Sequence, residues 1–112
     1  MDISERVEDG IPVIAISGDV DLASSPKLRE HLKTKTSEKC GFLCLDFAEV
    51  SYIDSSGLAT LIEYFQAAQS YGGKLAIANL SARVRNVFEI VRLEQIFSLH
   101  PDVPSAISAL KE

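Results

Sequence analysis

The chain contains no tryptophan, one methionine, two cysteines and two histidines among its 112 residues. Each scarcity removes a class of function. Cys40 and Cys44 are spaced C-x3-C, unlike the C-x2-C of redox and zinc motifs, and two thiols alone make neither a disulfide framework nor a zinc cage. On a strand from Phe42 to Phe47, Cys44 points into a core, where a free thiol behaves as a small hydrophobe. His31 lies among Arg29, Glu30 and Lys33 on what reads as a solvated helix face, and His100 sits beside Pro101 at a turn. Neither histidine has a companion at metal-ligand spacing, so no metal site is expected. No apolar run approaches the roughly 20 residues of a membrane span. Met1-Asp2-Ile3-Ser4-Glu5 lacks the basic and apolar regions of a signal peptide, so a cytoplasmic location without direct membrane insertion is expected. Positive charge is also short. Eleven Lys and Arg face sixteen Asp and Glu, for a net charge of −5. A nucleic-acid groove needs a dense basic field, so no nucleic-acid partner is expected. The densest basic run, Lys33, Lys35 and Lys39 after Arg29, is broken by Glu30 and Glu38 and reads as a solvated helix end.

Catalytic patterns are missing as well. Ser, His and Asp all occur, but the G-x-S-x-G elbow of a nucleophilic serine does not. Gly72-Gly73-Lys74-Leu75 lacks the first glycine and the hydroxyl residue of a P-loop, and there is no G-x-G-x-x-G. No cofactor and no enzymatic activity are expected. The chain is nonetheless a well-formed globular sequence. Apolar residues make up 46% and charged residues 24%, enough to bury a core in one domain spanning residues 1–112. There is no repeat or linker.

The patterning alternates. Ile3–Val7 reads as a short edge strand, Asp9-Gly10 as a hairpin turn, and Val13–Ser17 as a buried strand. Ser24-Ser25-Pro26 reads as a helix start, with serine as cap and proline at the first helical position, and Leu28 and Leu32 supply an apolar stripe. Phe42–Phe47 is expected to be the central strand. Leu58, Leu61, Ile62, Phe65 and Ala68 make the clearest amphipathic helix, ended by Gly72-Gly73. Lys74–Ala78 is a strand, Ser81 caps a third helix, Ile96-Phe97 pairs briefly, and Asp102 caps a last helix. Strands alternating with helices predict an α/β fold of four to five strands and about four helices, mostly parallel with an antiparallel N-terminal edge. Tyr64, Ala67 and Tyr71 are expected to leave an exposed apolar patch that would permit self-pairing.

Two segments stand out. Gly18-Asp19-Val20-Asp21 follows the strongest strand, where α/β sites gather; its two carboxylates are either a Mg²⁺ pair or polar loop residues. Ile53-Asp54-Ser55-Ser56-Gly57-Leu58 turns an extended stretch into a helix. Serine there is an ordinary cap, yet a helix N-terminus also tolerates a phosphate, and phosphorylation adds about −1.5 to −2 charges.

Taken in order, Ile16-Ser17-Gly18-Asp19-Val20-Asp21, then Leu45-Asp46-Phe47-Ala48-Glu49-Val50-Ser51-Tyr52-Ile53-Asp54-Ser55-Ser56-Gly57-Leu58, then Gly72-Gly73-Lys74-Leu75, the chain resembles the bacterial anti-sigma factor antagonists of the STAS fold over essentially its whole length. The resemblance implies a mixed sheet with helices packed mainly on one face. It implies that Ser55 is phosphorylated, that Ser56 is the accompanying hydroxyl, that Gly57 opens the helix before Leu58, and that Asp19, Asp21 and Asp54 form the acidic surroundings. It further implies partner switching with an anti-sigma factor that is also a serine kinase carrying the ATP, and a PP2C-type phosphatase that restores the serine. A second role within the same fold is accessory subunit of a lipid-transport ABC complex or a stress-signalling scaffold, without phosphorylation. A receiver-type aspartyl phosphate on Asp46 is disfavoured, because the acidic pair follows the second strand instead of the first. A phosphatase built on Asp19 and Asp21 is disfavoured by the short chain.

Overall fold

Asp9 and Gly10 both adopt positive φ, 56° and 79°, in a two-residue turn whose twist suits antiparallel strands. In the computed structural model, which describes residues 1–112, they join β1 (Asp2–Glu8) to β2 (Ile11–Ser17) in register from Asp2↔Ser17 to Glu8↔Ile11. The chain continues through α1 (Ser25–Ser37), β3 (Phe42–Glu49), α2 (Ser55–Gln69), β4 (Lys74–Ala78) and α3 (Ala82–Ile90). A 3-10 turn at Leu93–Gln95 leads to β5 (Ser98–His100) and α4 (Val103–Lys111).

The strands lie in sequence order, β1-β2-β3-β4-β5, with every pair after the first parallel. A sheet that grows in one direction through right-handed crossovers keeps its crossover helices on one face. Accordingly Leu28 and Leu32 of α1, Leu61, Tyr64 and Ala68 of α2, and Val84 and Phe88 of α3 share one core with Ile14, Leu45, Phe47 and Ile77. Only α4 covers the opposite face, where Val103, Ala106, Ile107 and Leu110 meet Val13, Cys44, Ala76 and Ala78. The order of strands never reverses, so the sheet lacks the switch-point crevice in which doubly wound folds hold dinucleotides. Cys44 is a buried core thiol, as expected, and burial pushes its pKa up to about 11.

Local chemistry explains most boundaries. Ser81 and Asp102 cap α3 and α4 by accepting from the Val84 and Ser105 amides. Gly73 donates to the Ala68 carbonyl and Gly72 to the Gln69 carbonyl, the paired bonds that close a helix end.

Several expectations are corrected. No serine side chain caps α1: the helix starts at Ser25 with Pro26 second, and the Ser24 hydroxyl at the cap position turns back to the Asp19 carbonyl at 2.8 Å, because the preceding loop folds into its own turn around Asp21. The last strand is Ser98–His100, not Ile96-Phe97, because Ile96 closes the 3-10 turn and β5 registers its three residues against Ala76–Ala78. His100 therefore ends a strand. Lys35 is no solvated helix end. It is buried and bonds Glu5 on β1 at 2.6 Å, while His31 approaches the same carboxylate at 3.3 Å. Tyr64 is only 3% exposed and Ala67 and Tyr71 are half-buried, so the three do not form an exposed patch: α1 packs against α2.

Candidate functional site

The site forms where two loops at the carboxyl ends of adjacent parallel strands are stitched together. Gly18 N donates to the Glu49 carbonyl, Val20 N to the Tyr52 carbonyl, and Asp54 N to the Val20 carbonyl. The result is an isolated parallel bridge, Val20↔Ile53, that continues the β2–β3 ladder past its end. Both residues are buried, so the polar residues between them are turned outward.

Asp54 is the node. It stands at the N-cap of α2 in extended conformation and accepts from Ser56 N at 2.9 Å, Gly57 N at 3.2 Å and the Ser56 hydroxyl at 2.6 Å. Its second oxygen takes the Leu22 amide at 3.2 Å, from the other loop. The Ser56 hydroxyl first, then these amides, hold the carboxyl below its ordinary value of 3.8, since each bond favours the charged form. The Ser56 oxygen also lies 3.0 Å from the hydroxyl of Ser25, which donates to the Asp21 carbonyl at 2.6 Å. Helix α1, the first loop and the start of α2 are thus one hydrogen-bonded unit.

Gly57 makes that unit possible. A Cβ there would meet Val20 Cγ1 at 2.7 Å, Ile53 Cγ1 at 2.8 Å and the Val20 carbonyl at 2.9 Å. The helix begins at Ser55, two residues earlier than a helix opened by Gly57, and the glycine is the third helical residue, seated on the bridge.

Ser55 stands apart from its neighbours. It is exposed at the first position of α2 and outside the network that occupies Ser56. The acidic residues are brought close, with distinct tasks. Asp19 accepts from the Ser51 hydroxyl at 3.1 Å on the loop leading to Ser55, whereas Asp21 accepts from the Ser24 amide and hydroxyl at 3.0 and 3.1 Å. No three acidic, histidine or cysteine groups converge as a metal cage would need, and both carboxylates accept hydrogen bonds that shape their own loops.

Sequence reading missed the apolar ground around Ser55. A groove of about 290 Å³ between α2 and the end of α3 is lined by Ser55, Leu58, Ala59, Ile62, Val91 and Leu93. Ile90 and Leu22 nearby are 72% and 77% exposed, far more than side chains of that size need to be in a chain with a filled core. The signal was present in part: Ile90 lies off the stripe formed by Val84, Val87, Phe88 and Val91. Tyr52, just before the serines, carries the Arg83 guanidinium over its ring at 5.8 Å from the centroid. A second groove, about 260 Å³ between α1 and α2, holds none of the predicted site residues, and Arg29 and Glu63 on its rim pair at 3.1 Å.

The STAS domain model matches residues 2–106. The anti-sigma-B factor antagonist of Bacillus subtilis is 35% identical over 86 residues, covering 77% of this chain and 78% of the relative. Among solved structures, an anti-sigma factor antagonist from Mycobacterium paratuberculosis superposes with a TM-score of 0.90 at 21% identity, covering 99% of this chain and 94% of the other. The Bacillus cell fate determinant SpoIIAA in its phosphorylated form superposes with a TM-score of 0.75 at 20% identity, covering 97% and 99%. Sheet order, one-sided helices and the match over nearly the full length agree: the chain belongs to the STAS-domain family of anti-sigma factor antagonists.

Proposed function

We propose that the chain is an anti-sigma factor antagonist that works by partner switching, with Ser55 as the switch. Unmodified, it binds an anti-sigma factor that is also a serine kinase, and so releases a sigma factor. The kinase transfers the γ-phosphoryl group of its ATP to the Ser55 oxygen, the hydroxyl proton leaves, and ADP departs. The modified chain dissociates, and a PP2C-type phosphatase hydrolyses the ester to restore serine. ATP and Mg²⁺ belong to the kinase, so the chain contributes a docking surface and a hydroxyl but no catalysis.

The observation that carries this reading is the contrast between adjacent serines. Ser56 has its hydroxyl committed to Asp54 and is half-buried, while Ser55 is exposed and unengaged at the start of a helix. A phosphate on Ser55 meets the positive end of α2, an interaction of about 0.3–1 kcal/mol, so the modified chain stays folded. A partner carboxylate near that phosphate meets the opposite outcome. Two unit charges ~6 Å apart at an effective dielectric of ~20 repel by roughly 3 kcal/mol. Since ~1.4 kcal/mol is tenfold in affinity, one modification weakens binding about a hundredfold. Asp19, Asp21, Asp54, Ser56, Gly57 and Leu58 shape the surface around it.

Incubation with the cognate kinase and ATP, read by mass spectrometry, is expected to place one phosphate on wild type and on Ser56→Ala, and none on Ser55→Ala. Labelling of Ser55→Ala equal to wild type would move the site elsewhere. Ser55→Asp is expected to bind the unloaded kinase more weakly than Ser55→Ala; equal affinities would rule out an electrostatic switch. Co-purification with transporter subunits and an unmodified Ser55 would favour the accessory-subunit role.

A further inference from the structure

Arg6, Arg29 and Arg85 each pair with a carboxylate of the chain: Glu8 at 2.9 Å, Glu63 at 3.1 Å and Glu89 at 3.8 Å. Arg92, exposed after α3, and Arg83 have no such partner, and of the two only Arg83 is held against an aromatic ring. It occupies the first turn of α3, where the helix dipole is positive and a cation is unfavourable, so its position does not serve helix stability. Instead its guanidinium lies over the ring of Tyr52, on the loop that leads to Ser55. Stacking of this kind restricts a flexible side chain before any partner arrives, which lowers the entropy lost on binding, and it leaves the outer N–H groups free to donate.

The surroundings point to what those donors meet. Arg83, Val87 and Val91 fall at i, i+4 and i+8 on one face of α3, and Val91 lines the groove headed by Ser55. Tyr52 and Arg83 therefore lie on the two segments that lead into the groove, the loop before Ser55 and the helix before Val91. Arginine and tyrosine beside an exposed apolar patch are the residue types that anchor protein interfaces. An arginine with no carboxylate of its own chain also gives direction: a partner seated on this side of Ser55 gains by bringing negative charge to it.

We infer that Arg83, held on Tyr52, is a specificity-determining residue of the interface and takes a carboxylate from the anti-sigma partner, beside an apolar ridge of that partner seated between α2 and α3. This inference rests on the partner-switching reading of the same site. It fixes the register of the partner relative to Ser55, since the carboxylate is read at Arg83, in the first turn of α3, and the apolar ridge at Val91, just past its end.

The test starts with the kinase captured by the Ser55→Ala chain and purified. Its affinity is then measured by calorimetry, without nucleotide, for Ser55→Ala alone and combined with Arg83→Gln, Arg83→Glu, Tyr52→Ala or Arg85→Gln. Arg83→Gln is expected to weaken binding about tenfold and Arg83→Glu further, with the Arg83→Gln loss shrinking as salt is raised from low to high ionic strength. Tyr52→Ala is expected to weaken binding less, and Arg85→Gln, on the opposite side of α3, to leave it unchanged. A single carboxylate-to-lysine change in the kinase that restores binding to Arg83→Glu identifies the pair. If Arg83→Gln and Arg83→Glu bind like the parent, the inference is overturned while partner switching stands. A loss of binding seen only with ATP present would assign Arg83 to the nucleotide and overturn it too. So would a dimer of the purified chain that Arg83→Glu dissociates, since the groove would then be covered by a second copy. If no kinase is captured and Ser55 is never modified, the functional reading fails, and the inference with it.

Discussion

Helices α2 and α4 begin with the same local device and end up with different jobs. Each starts after an extended aspartate, Asp54 or Asp102, whose carboxylate accepts amides from the first turn. At α4 the carboxylate bonds Ser105, three residues away, through its amide at 2.8 Å. At α2 the same residue type also reaches Leu22, 32 residues earlier in the chain, and holds the Ser56 hydroxyl. The third helical position repeats the contrast. In α4 it is Ser105, half-buried with room for its side chain; in α2 it is Gly57, whose missing side chain lets the helix sit on the Val20↔Ile53 bridge. A cap alone orders a helix. A cap that ties two loops and seats a glycine on a strand bridge builds a rigid platform from which one serine projects.

The comparison breaks most readily at Gly57. Gly57→Ala forces a Cβ within 2.9 Å of a backbone oxygen that has no alternative position, and the expected loss is about 1–3 kcal/mol, read as a fall in the urea midpoint. Ser105→Ala, at the matching position of α4, is expected to stay within about 0.5 kcal/mol. Equal losses would show that the bridge is not a constraint.

Asp54→Ala and Asp102→Ala come next. Both lower the melting temperature, Asp54→Ala more, and only Asp54→Ala speeds hydrogen exchange at the Leu22 amide. A Leu22 amide equally protected in both variants would remove the link between the loops.

Acid titration sharpens the same contrast. Hydrogen bonding holds both carboxyls below their ordinary value of 3.8, Asp54 through the Ser56 hydroxyl first and Asp102 through the Ser105 amide first. Glu5 is likewise held below 4.5, by the Lys35 bond first. A group lowered on folding stabilises the native state above its unfolded pKa, and that stability is lost as pH falls through the lowered value. The melting temperature is therefore expected to fall from about pH 4.5 downward. Asp54→Asn should flatten that fall more than Asp102→Asn. The smallest effect belongs to Ser55→Ala, expected to change stability by less than about 0.5 kcal/mol because the hydroxyl is exposed and outside the network. A larger loss would make Ser55 a structural residue.

Features that depend on short-range chemistry were legible from the residues. The Asp9-Gly10 turn, the Ser81 and Asp102 caps, the Gly72-Gly73 helix end and the apolar stripe of α2 each need only a few neighbours to specify them, and each is found where the pattern predicts. Features that depend on what another element brings were not. Lys35 reads as solvent-facing until β1 supplies Glu5, and Tyr64 reads as exposed until α1 covers it. A serine of Ser24-Ser25 reads as a cap until the Asp19–Asp21 loop claims both hydroxyls.

The sequence by itself determined the alternation of strands and helices, the acidic segment after β2, and a hydroxyl pair at a helix start, because periodicity, capping and turn chemistry act over a few residues. Only the tertiary structure decided which hydroxyl is free and what surrounds it. That choice hangs on a parallel bridge between Val20 and Ile53, a glycine wedged against it, and an arginine laid on Tyr52 from another helix. Such contacts join positions about 30 residues apart, and no local preference encodes a distance across the fold.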